Sequence, residues 1–114
     1  MHTLTESEEQ SMAKAAYRRK DEALYEAILK IKDTEECIRF FKDLCSHTEL
    51  CAIEQRFEVA RLLEQGEVYL EIEEKTGASS ATISRVNRML NDGSNGLRDV
   101  MGRMKEEQNE GGIS

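Results

Sequence analysis

The sequence predicts an all-α domain that contains a helix-turn-helix, and three observations support this fold class. The 114-residue chain has no proline and is rich in good helix formers such as Ala, Leu, Glu, Lys and Arg. Apolar residues recur at spacings of three and four, which is the period of an amphipathic helix. Between residues 68 and 91, two helix-prone segments flank the short corner Gly77-Ala78-Ser79.

Three amphipathic helices are predicted before the helix-turn-helix. The first begins near residue 14 and ends near Lys32, and Asp33 or Thr34 caps the second, because Glu36 lies where a capping-box carboxylate belongs relative to Asp33. Ser46 and Glu49 repeat that pattern before a third helix at about 47–65. The apolar stripes of the three helices are Leu24, Ile28 and Ile31; Cys37, Ile38, Phe41 and Leu44; and Leu50, Ile53, Phe57, Ala60 and Leu62 or Leu63.

The segment from about 68 to 91 has the order of a helix-turn-helix. A first short helix, with Leu70 and Ile72 as its apolar residues, ends at Thr76. Gly77 can adopt the left-handed conformation that ends one helix and redirects the chain into the next. The second helix begins at Ser80 and ends at Asn91, and its inward residues are Ile83, Val86 and Leu90. In a helix-turn-helix this second helix is the recognition helix, which lies in the DNA major groove.

The two ends of the chain are predicted to lie outside the folded domain. Residues 92–96 form a turn before a last amphipathic helix that carries Leu97, Val100, Met101 and Met104. Residues 1–12 and 106–114 are polar, and we expect both tails to be disordered. The domain is therefore expected at residues 13–105.

The charge distribution makes the predicted recognition helix the locally basic element of an acidic protein. The net charge of −7 argues against a general nucleic-acid-binding protein. Residues 53–76 carry three basic and seven acidic side chains, whereas residues 77–91 carry Arg85 and Arg88 and no acid. A dimer with two such helices would double the attraction for phosphate.

Other classes of function have little support in the sequence. Cys37, Cys45 and Cys51 lack CxxC spacing, and Cys45, His47 and Cys51 lack the fourth ligand that structural zinc requires. We therefore expect no metal site and buried, inert cysteines. No signal peptide or membrane-spanning segment is evident, which favours a reduced cytoplasmic compartment and no membrane partner. No catalytic constellation or phosphate-binding loop is present, so we expect no enzyme activity.

Several short motifs follow one another in a characteristic order: Gln55-Arg56, Val59-Ala60, Leu62-Leu63, Gly66-Glu67, Thr76-Gly77-Ala78 and Ala81-Thr82-Ile83-Ser84-Arg85. Together with a final helix, they resemble the Trp repressor superfamily. With Glu35-Glu36-Cys37, Phe40-Phe41 and the segment 84–88, the chain is closer still to the YerC/YecD group of bacterial proteins. The resemblance covers about residues 20–105. It implies a six-helix subunit in an intertwined homodimer, whose N-terminal helices wrap those of the partner.

The resemblance also implies a sequence-specific transcription regulator, acting as a repressor, that binds double-stranded DNA as a homodimer. Such a protein would act in the bacterial cytoplasm, on the nucleoid when it is bound. Serine and threonine can bond to a base edge or a phosphate, and arginine can bind a guanine. The predicted DNA-binding residues are Lys75, Ser79, Ser80, Ala81, Thr82, Ser84, Arg85 and Arg88.

The first helix of the pair departs from the family pattern. Trp repressor has basic residues there that approach DNA, whereas this chain has Glu71, Glu73 and Glu74. This acidic face leaves an alternative open, in which the chain is a dimeric interaction module that binds a protein without specific DNA binding.

The ligand pocket is the second place where this chain departs from the family pattern. In Trp repressor two arginines flank the bound tryptophan, and Arg56 and Arg85 match them. Glycine follows the second arginine in Trp repressor, but this chain has Val86, and Met89 replaces a small polar residue. We expect these side chains to fill a vestigial pocket, so that no cofactor is needed and L-tryptophan does not bind. The sequence identifies no other effector.

Overall fold

The computed structural model describes Thr5 and residues 22–111, with side chains described up to residue 108, and it confirms the all-α fold class. Helix α1 covers residues 22–28 of the described part. It is followed by α2 (Thr34–Leu44), α3 (His47–Glu64), α4 (Tyr69–Thr76), α5 (Ser80–Asp92) and α6 (Gly96–Gly111). None of the helices in these residues is long and apolar enough to cross a membrane.

The chain divides after Cys45 into two compact units, and the first contains α1 and α2. Leu24, Ile28 and Ile31 are half-buried among exposed neighbours, as predicted. However, α1 ends at residue 28, before Ile31, and not near Lys32 as predicted. Asp33 caps α2, because its Oδ1 accepts a hydrogen bond from the Glu36 amide at 2.8 Å.

The apolar stripe predicted for α2 is partly wrong. Phe40, Phe41 and Cys37 are half-buried, and the two rings meet edge to face with centroids 5.4 Å apart. Ile38 and Leu44, which were expected on the same side, are exposed. The face that packs within this unit is therefore displaced by part of a turn from the predicted one.

Helix α3 begins and ends as the sequence predicts. Ser46 and Glu49 form a full capping box: Ser46 Oγ accepts from the Glu49 amide at 3.2 Å, and Glu49 Oε1 accepts from the Ser46 amide at 2.9 Å. At the other end Gly66 has φ +83°. The Glu67 amide then donates to the Leu62 carbonyl at 3.0 Å, which closes the last turn.

The core of the second unit lies between α3, α4, the corner and α5. Ile83, Val86 and Leu90 are buried, as predicted, and Leu63, Leu97 and Met101 pack against the cluster. Leu70 is 67% exposed, however, because it lies on the opposite side of α4 from the fully buried Ile72. The buried residues are Val59, Ala60, Leu62, Ile72, Ala78, Ile83, Val86 and Leu90.

Helix α6 corrects the predicted end of the domain at residue 105. The helix continues to Gly111, because residues 105–108 are Lys, Glu, Glu and Gln, which are good helix formers despite their polarity. The predicted N-terminal tail and the start of the first helix lie outside the described residues, except for Thr5, and so do residues 112–114.

Candidate nucleic-acid interface

The corner between α4 and α5 is fixed by local hydrogen bonds. Gly77 ends α4 in the left-handed conformation with φ 73°, and its amide donates to the Glu73 carbonyl at 2.9 Å. The Thr76 hydroxyl donates to the Ile72 carbonyl at 2.7 Å and accepts from the Ala78 amide at 3.1 Å. Ala78 itself is buried in the core. The direction in which the chain enters α5 is therefore set by both hydrogen bonds and packing.

Ser79 caps the N-terminus of α5. Its Oγ accepts from the Thr82 amide at 3.2 Å and lies 3.1 Å from the Thr82 hydroxyl. The two hydroxyls that the sequence assigns to DNA contact thus already form a hydrogen bond with each other. The Ser80 and Ala81 amides, in the first turn, have no carbonyl partner within the helix and carry the positive end of its dipole.

The exposed face of α5 brings together most of the predicted DNA-binding residues. Ser80, Ala81, Ser84, Arg85 and Arg88 are exposed, whereas the opposite face of the helix is buried in the core. Neither arginine forms an ion pair or a side-chain hydrogen bond with any residue that the structure describes. Both guanidinium groups are therefore available to an external anion.

Lys75 lies on α4, apart from that face, and already has a partner. Its Nζ is 3.0 Å from Glu67 Oε1. A hydrogen bond shared with Glu71, together with the Lys75 ammonium, lowers the pKa of the Glu67 carboxyl, and the same carboxyl–carboxyl hydrogen bond raises the pKa of Glu71. The bond to Glu67 raises the pKa of Lys75. The spacing of four residues between Glu67, Glu71 and Lys75 is the sequence feature that could have indicated this arrangement.

The outward face of α4 is acidic and partly apolar. Leu70, Glu71 and Glu74 are exposed on it, and Val68, the residue that precedes the helix, is exposed as well. Glu73, which the sequence groups with the other two acids, is half-buried. This face carries the negative charge that distinguishes the first helix of the pair from a phosphate-binding helix.

The residues of the predicted ligand pocket lie in different environments. Val86 is fully buried in the core, and Met89 is 46% exposed. Met89 lines an open depression with Arg85, Arg88, Asp92 and Gly93, and Arg56 is not among its lining residues. Arg56 is exposed on α3 and pairs with no acid in the described part of the chain.

The cysteines differ from the prediction of burial. Cys51 is exposed, and Cys37 and Cys45 are half-buried. The Cys51 Sγ lies 3.6 Å from His47 Nε2, one turn away on α3. Among the described residues, no three His, Cys, Asp or Glu side chains gather as a metal site.

Three hydrogen bonds that hold the helix-turn-helix were not predicted. Gln55 of α3 donates from Nε2 to the Thr76 carbonyl at 3.1 Å. Arg98 of α6 donates from Nε to Glu64 Oε1 at 2.7 Å and from Nη2 to Asn91 Oδ1 at 3.3 Å. Gln55 and Thr76 are 21 residues apart, and Arg98 and Glu64 are 34 apart, so no periodic pattern indicates these two contacts. Gln55 nevertheless belongs to one of the motifs that carry the family resemblance.

Comparison with known proteins gives a consistent result. The family model of the Trp repressor protein matches residues 20–105. The chain is 51% identical over 87 residues to the uncharacterized protein YerC of Bacillus subtilis (strain 168), which covers 76% of this chain and 84% of that protein.

Two solved structures share the fold. A TrpR-like protein from Eubacterium eligens ATCC 27750 has a TM-score of 0.71 and 51% identity, covering 74% of this chain and 87% of the other. A protein from Staphylococcus aureus with the provisional name Trp repressor has a TM-score of 0.71 and 43% identity, covering 74% of this chain and 84% of the other. The chain therefore belongs to the Trp repressor family, a family of DNA-binding regulators rather than enzymes.

Proposed function

We propose that the protein is a sequence-specific transcription regulator, acting as a repressor, whose helix α5 lies in the major groove of double-stranded DNA. One observation carries this proposal. Arg85 and Arg88 are exposed and unpaired within the described residues, on the face of α5 that lies opposite its buried side. A rigid helix with a basic, small-residue face is the element that a major groove admits.

The geometry suggests different roles for the predicted contact residues. Ser84 and Arg85 lie beyond the first turn of α5 and suit base edges, and Arg88 and the amides of the first turn suit phosphates. Ser79 and Thr82 act mainly in shaping the start of the helix, because their hydroxyls bond to each other. Lys75 would have to leave Glu67 before it could contact DNA, so we assign it a minor role.

A homodimer is the second part of the proposal. Large apolar side chains of the first unit remain exposed, including Leu29 at 83%, Tyr25 at 58% and Leu44 at 56%. Exposed apolar surface of this kind is typical of a protein–protein interface. Two recognition helices related by two-fold symmetry would bind half-sites about 34 Å apart, which is one turn of B-DNA.

No small-molecule cofactor enters the proposal. The buried Val86 occupies the position where Trp repressor has glycine, and it packs in the core with Ile83 and Leu90. We infer that L-tryptophan does not bind and that the protein recognises DNA alone, in the bacterial cytoplasm. Isothermal titration with L-tryptophan should give no binding heat, and a saturable signal would contradict this part.

Selection of bound duplexes from a random pool tests the DNA proposal. The purified protein without added ligand should enrich a short motif with two-fold symmetry, and its affinity should fall steeply with salt. Replacement of both Arg85 and Arg88 by alanine should abolish the enrichment. Arg103→Ala, which removes an exposed arginine from α6, is the matched control. If the parent protein enriched no motif at low or moderate salt, the proposal would fail.

A protein-interaction module is the second candidate, because Leu70, Glu71 and Glu74 are exposed together on α4. Reversal of charge at Glu71 and Glu74 distinguishes the two candidates. For a DNA regulator, Glu71→Lys with Glu74→Lys should raise duplex affinity, because two negative charges are replaced by two positive charges that attract phosphate. For an interaction module, the same double variant should lose a cellular protein that co-purifies with the parent, and neither protein should enrich a DNA motif.

A further inference from the structure

The carbonyl of Thr76, at the end of α4, accepts a hydrogen bond from a side chain of α3. Thr76 is the last residue of α4, and the final carbonyls of a helix have no amide partner within it. Gln55 of α3, half-buried and 21 residues earlier, donates its side-chain amide to this carbonyl at 3.1 Å. The end of α4 is thus satisfied by a side chain of another helix.

This hydrogen bond adds direction to an interface that is otherwise apolar. Helix α3 contributes Val59, Ala60 and Leu62 to the core, and these residues pack with Ile72 of α4 and Ile83 of α5. Apolar contact is non-directional and tolerates small rotations of one helix on another. Within the described residues, the Gln55–Thr76 bond is the only side-chain hydrogen bond between α3 and α4 or the corner.

The contact continues from Thr76 into the recognition helix. The Thr76 hydroxyl accepts a hydrogen bond from the Ala78 amide at 3.1 Å, and Ala78 precedes Ser79, the cap of α5. A shift of Thr76 would therefore shift the residues that begin α5. The left-handed Gly77 between them has no side chain that could resist such a shift.

We propose that Gln55 is a positioning residue that holds the corner, and hence the orientation of α5, in the geometry that specific DNA recognition requires. This inference rests on the proposed function. It makes Gln55, which is not expected to touch DNA, a determinant of specificity. Phosphate attraction tolerates changes of orientation, whereas bonds to base edges do not.

Two variants of Gln55 remove the donor and keep the length of the side chain. Gln55→Met is apolar, and Gln55→Glu has a carboxylate that can only accept. Gln65→Met, an exposed glutamine at the end of the same helix, is the matched control. Each protein is tested for affinity to a selected duplex and to a scrambled duplex, at a temperature well below its unfolding transition.

We expect both Gln55 variants to weaken binding to the selected duplex by roughly five- to tenfold, about the effect of one hydrogen bond, with no change for the scrambled duplex. Gln65→Met should change neither affinity. An equal loss on both duplexes, or no loss on the selected one, would overturn the inference, because a purely structural role would leave the ratio of the two affinities unchanged.

A second measurement separates this inference from the proposed function. Hydrogen exchange of the Ala78 and Thr82 amides, followed by NMR without DNA, measures directly how often the corner opens. Both Gln55 variants should exchange faster there than the parent and the Gln65→Met control. Unchanged exchange would overturn the role of Gln55 even if the parent binds DNA. If the parent binds no duplex, the proposed function fails, and exchange alone decides whether Gln55 holds the corner.

Discussion

Adjacent side chains of α5 take opposite environments. Arg85 is exposed and Val86 is completely buried, because each residue of an α-helix is rotated by about 100° from the one before it. The same rotation returns Arg88 to the exposed face and Leu90 to the core. This periodicity is local, so the sequence alone predicted which side chains of α5 are exposed, apart from Thr82, which is half-buried.

The first prediction separates base contacts from phosphate contacts. Arg88→Ala should weaken binding to every duplex alike and reduce the salt dependence by about one counterion per subunit, because a phosphate contact is lost. Ser84→Ala should weaken mainly the selected duplex and relax the preference at one or two positions. Binding titrations at several salt concentrations measure both effects. If Arg88→Ala lowered affinity for the selected duplex alone, its assignment to phosphate would be wrong.

The second prediction concerns pH and the capping box of α3. The hydrogen bond from the Ser46 amide, and then the contact with the Ser46 hydroxyl, lower the pKa of Glu49 below its ordinary 4.5. A carboxyl whose pKa is lower in the folded state stabilises the fold above its unfolded pKa, and this stabilisation is lost as the pH falls through the folded pKa. Glu49→Ala should therefore destabilise the protein at neutral pH.

Chemical unfolding of the parent and the variant measures that difference. The difference in unfolding free energy should shrink as the pH falls below 4.5. Glu54→Ala, on the same helix, is the control, because Glu54 forms no hydrogen bond with the described residues. A difference that stayed constant down to strongly acidic pH would show that the Glu49 carboxylate is not the cause.

At the scale of helices, the ends were the most predictable features. As predicted, Asp33 and Ser46 cap the helices that follow them, and Gly77 ends α4 in the left-handed conformation, because each of these signals lies within one turn of the end it determines. The cap of α5 by Ser79, which the sequence analysis assigned to DNA contact, was not predicted. The end of α6 was placed too early, at residue 105. Its charged residues after Met104 suit a helix as well as a solvated tail, and the structure continues the helix.

The third prediction tests the left-handed corner against an ordinary helical glycine. A Cβ at Gly77 would meet no atom within 4 Å, so Gly77→Ala should cost only the backbone energy of φ 73°, about 1–2 kcal/mol. A Cβ at Gly102, inside α6, would also meet no atom within 4 Å, and Gly102→Ala should stabilise the protein by about 0.5–1 kcal/mol. Urea unfolding of both variants checks the opposite signs, and equal effects would contradict the argument.

The contacts between helices could not be predicted in the same way. Gln55 lies 21 residues from Thr76, and Arg98 lies 34 residues from Glu64. Each pair meets only after the helices have packed, and many exposed side chains of the same types could have been proposed instead. The position of the recognition helix is therefore predictable from the sequence, whereas the contacts that orient it are not.

At the scale of the whole molecule, exposed apolar side chains lie in the first unit and on α4 of the second. In the first unit, Leu29 is the most exposed large apolar side chain, and on α4 the comparable residue is Leu70. The proposed homodimer covers the first of these and leaves the second free. The two leucines therefore form a natural pair for testing which surface joins the subunits.

The fourth prediction uses this pair. Leu29→Glu should raise the dimer dissociation constant by at least about tenfold, because a buried apolar contact would be replaced by a charge in both subunits. Leu70→Glu makes the same chemical change and should leave the dimer intact. Sedimentation equilibrium measures both constants. If the Leu29→Glu variant had the same dimer dissociation constant as the parent, Leu29 would not be part of the interface between the subunits.

The buried core has a consequence for the time course of folding. All of its fully enclosed residues lie between Val59 and Leu90, so the loops that must close to form it are short. Short loops cost little entropy to close, and chains rich in local contacts fold fast. The second unit should therefore reach its native packing within a single chain, before two chains meet. Refolding then has an early step that is independent of protein concentration and a later step that accelerates as concentration rises.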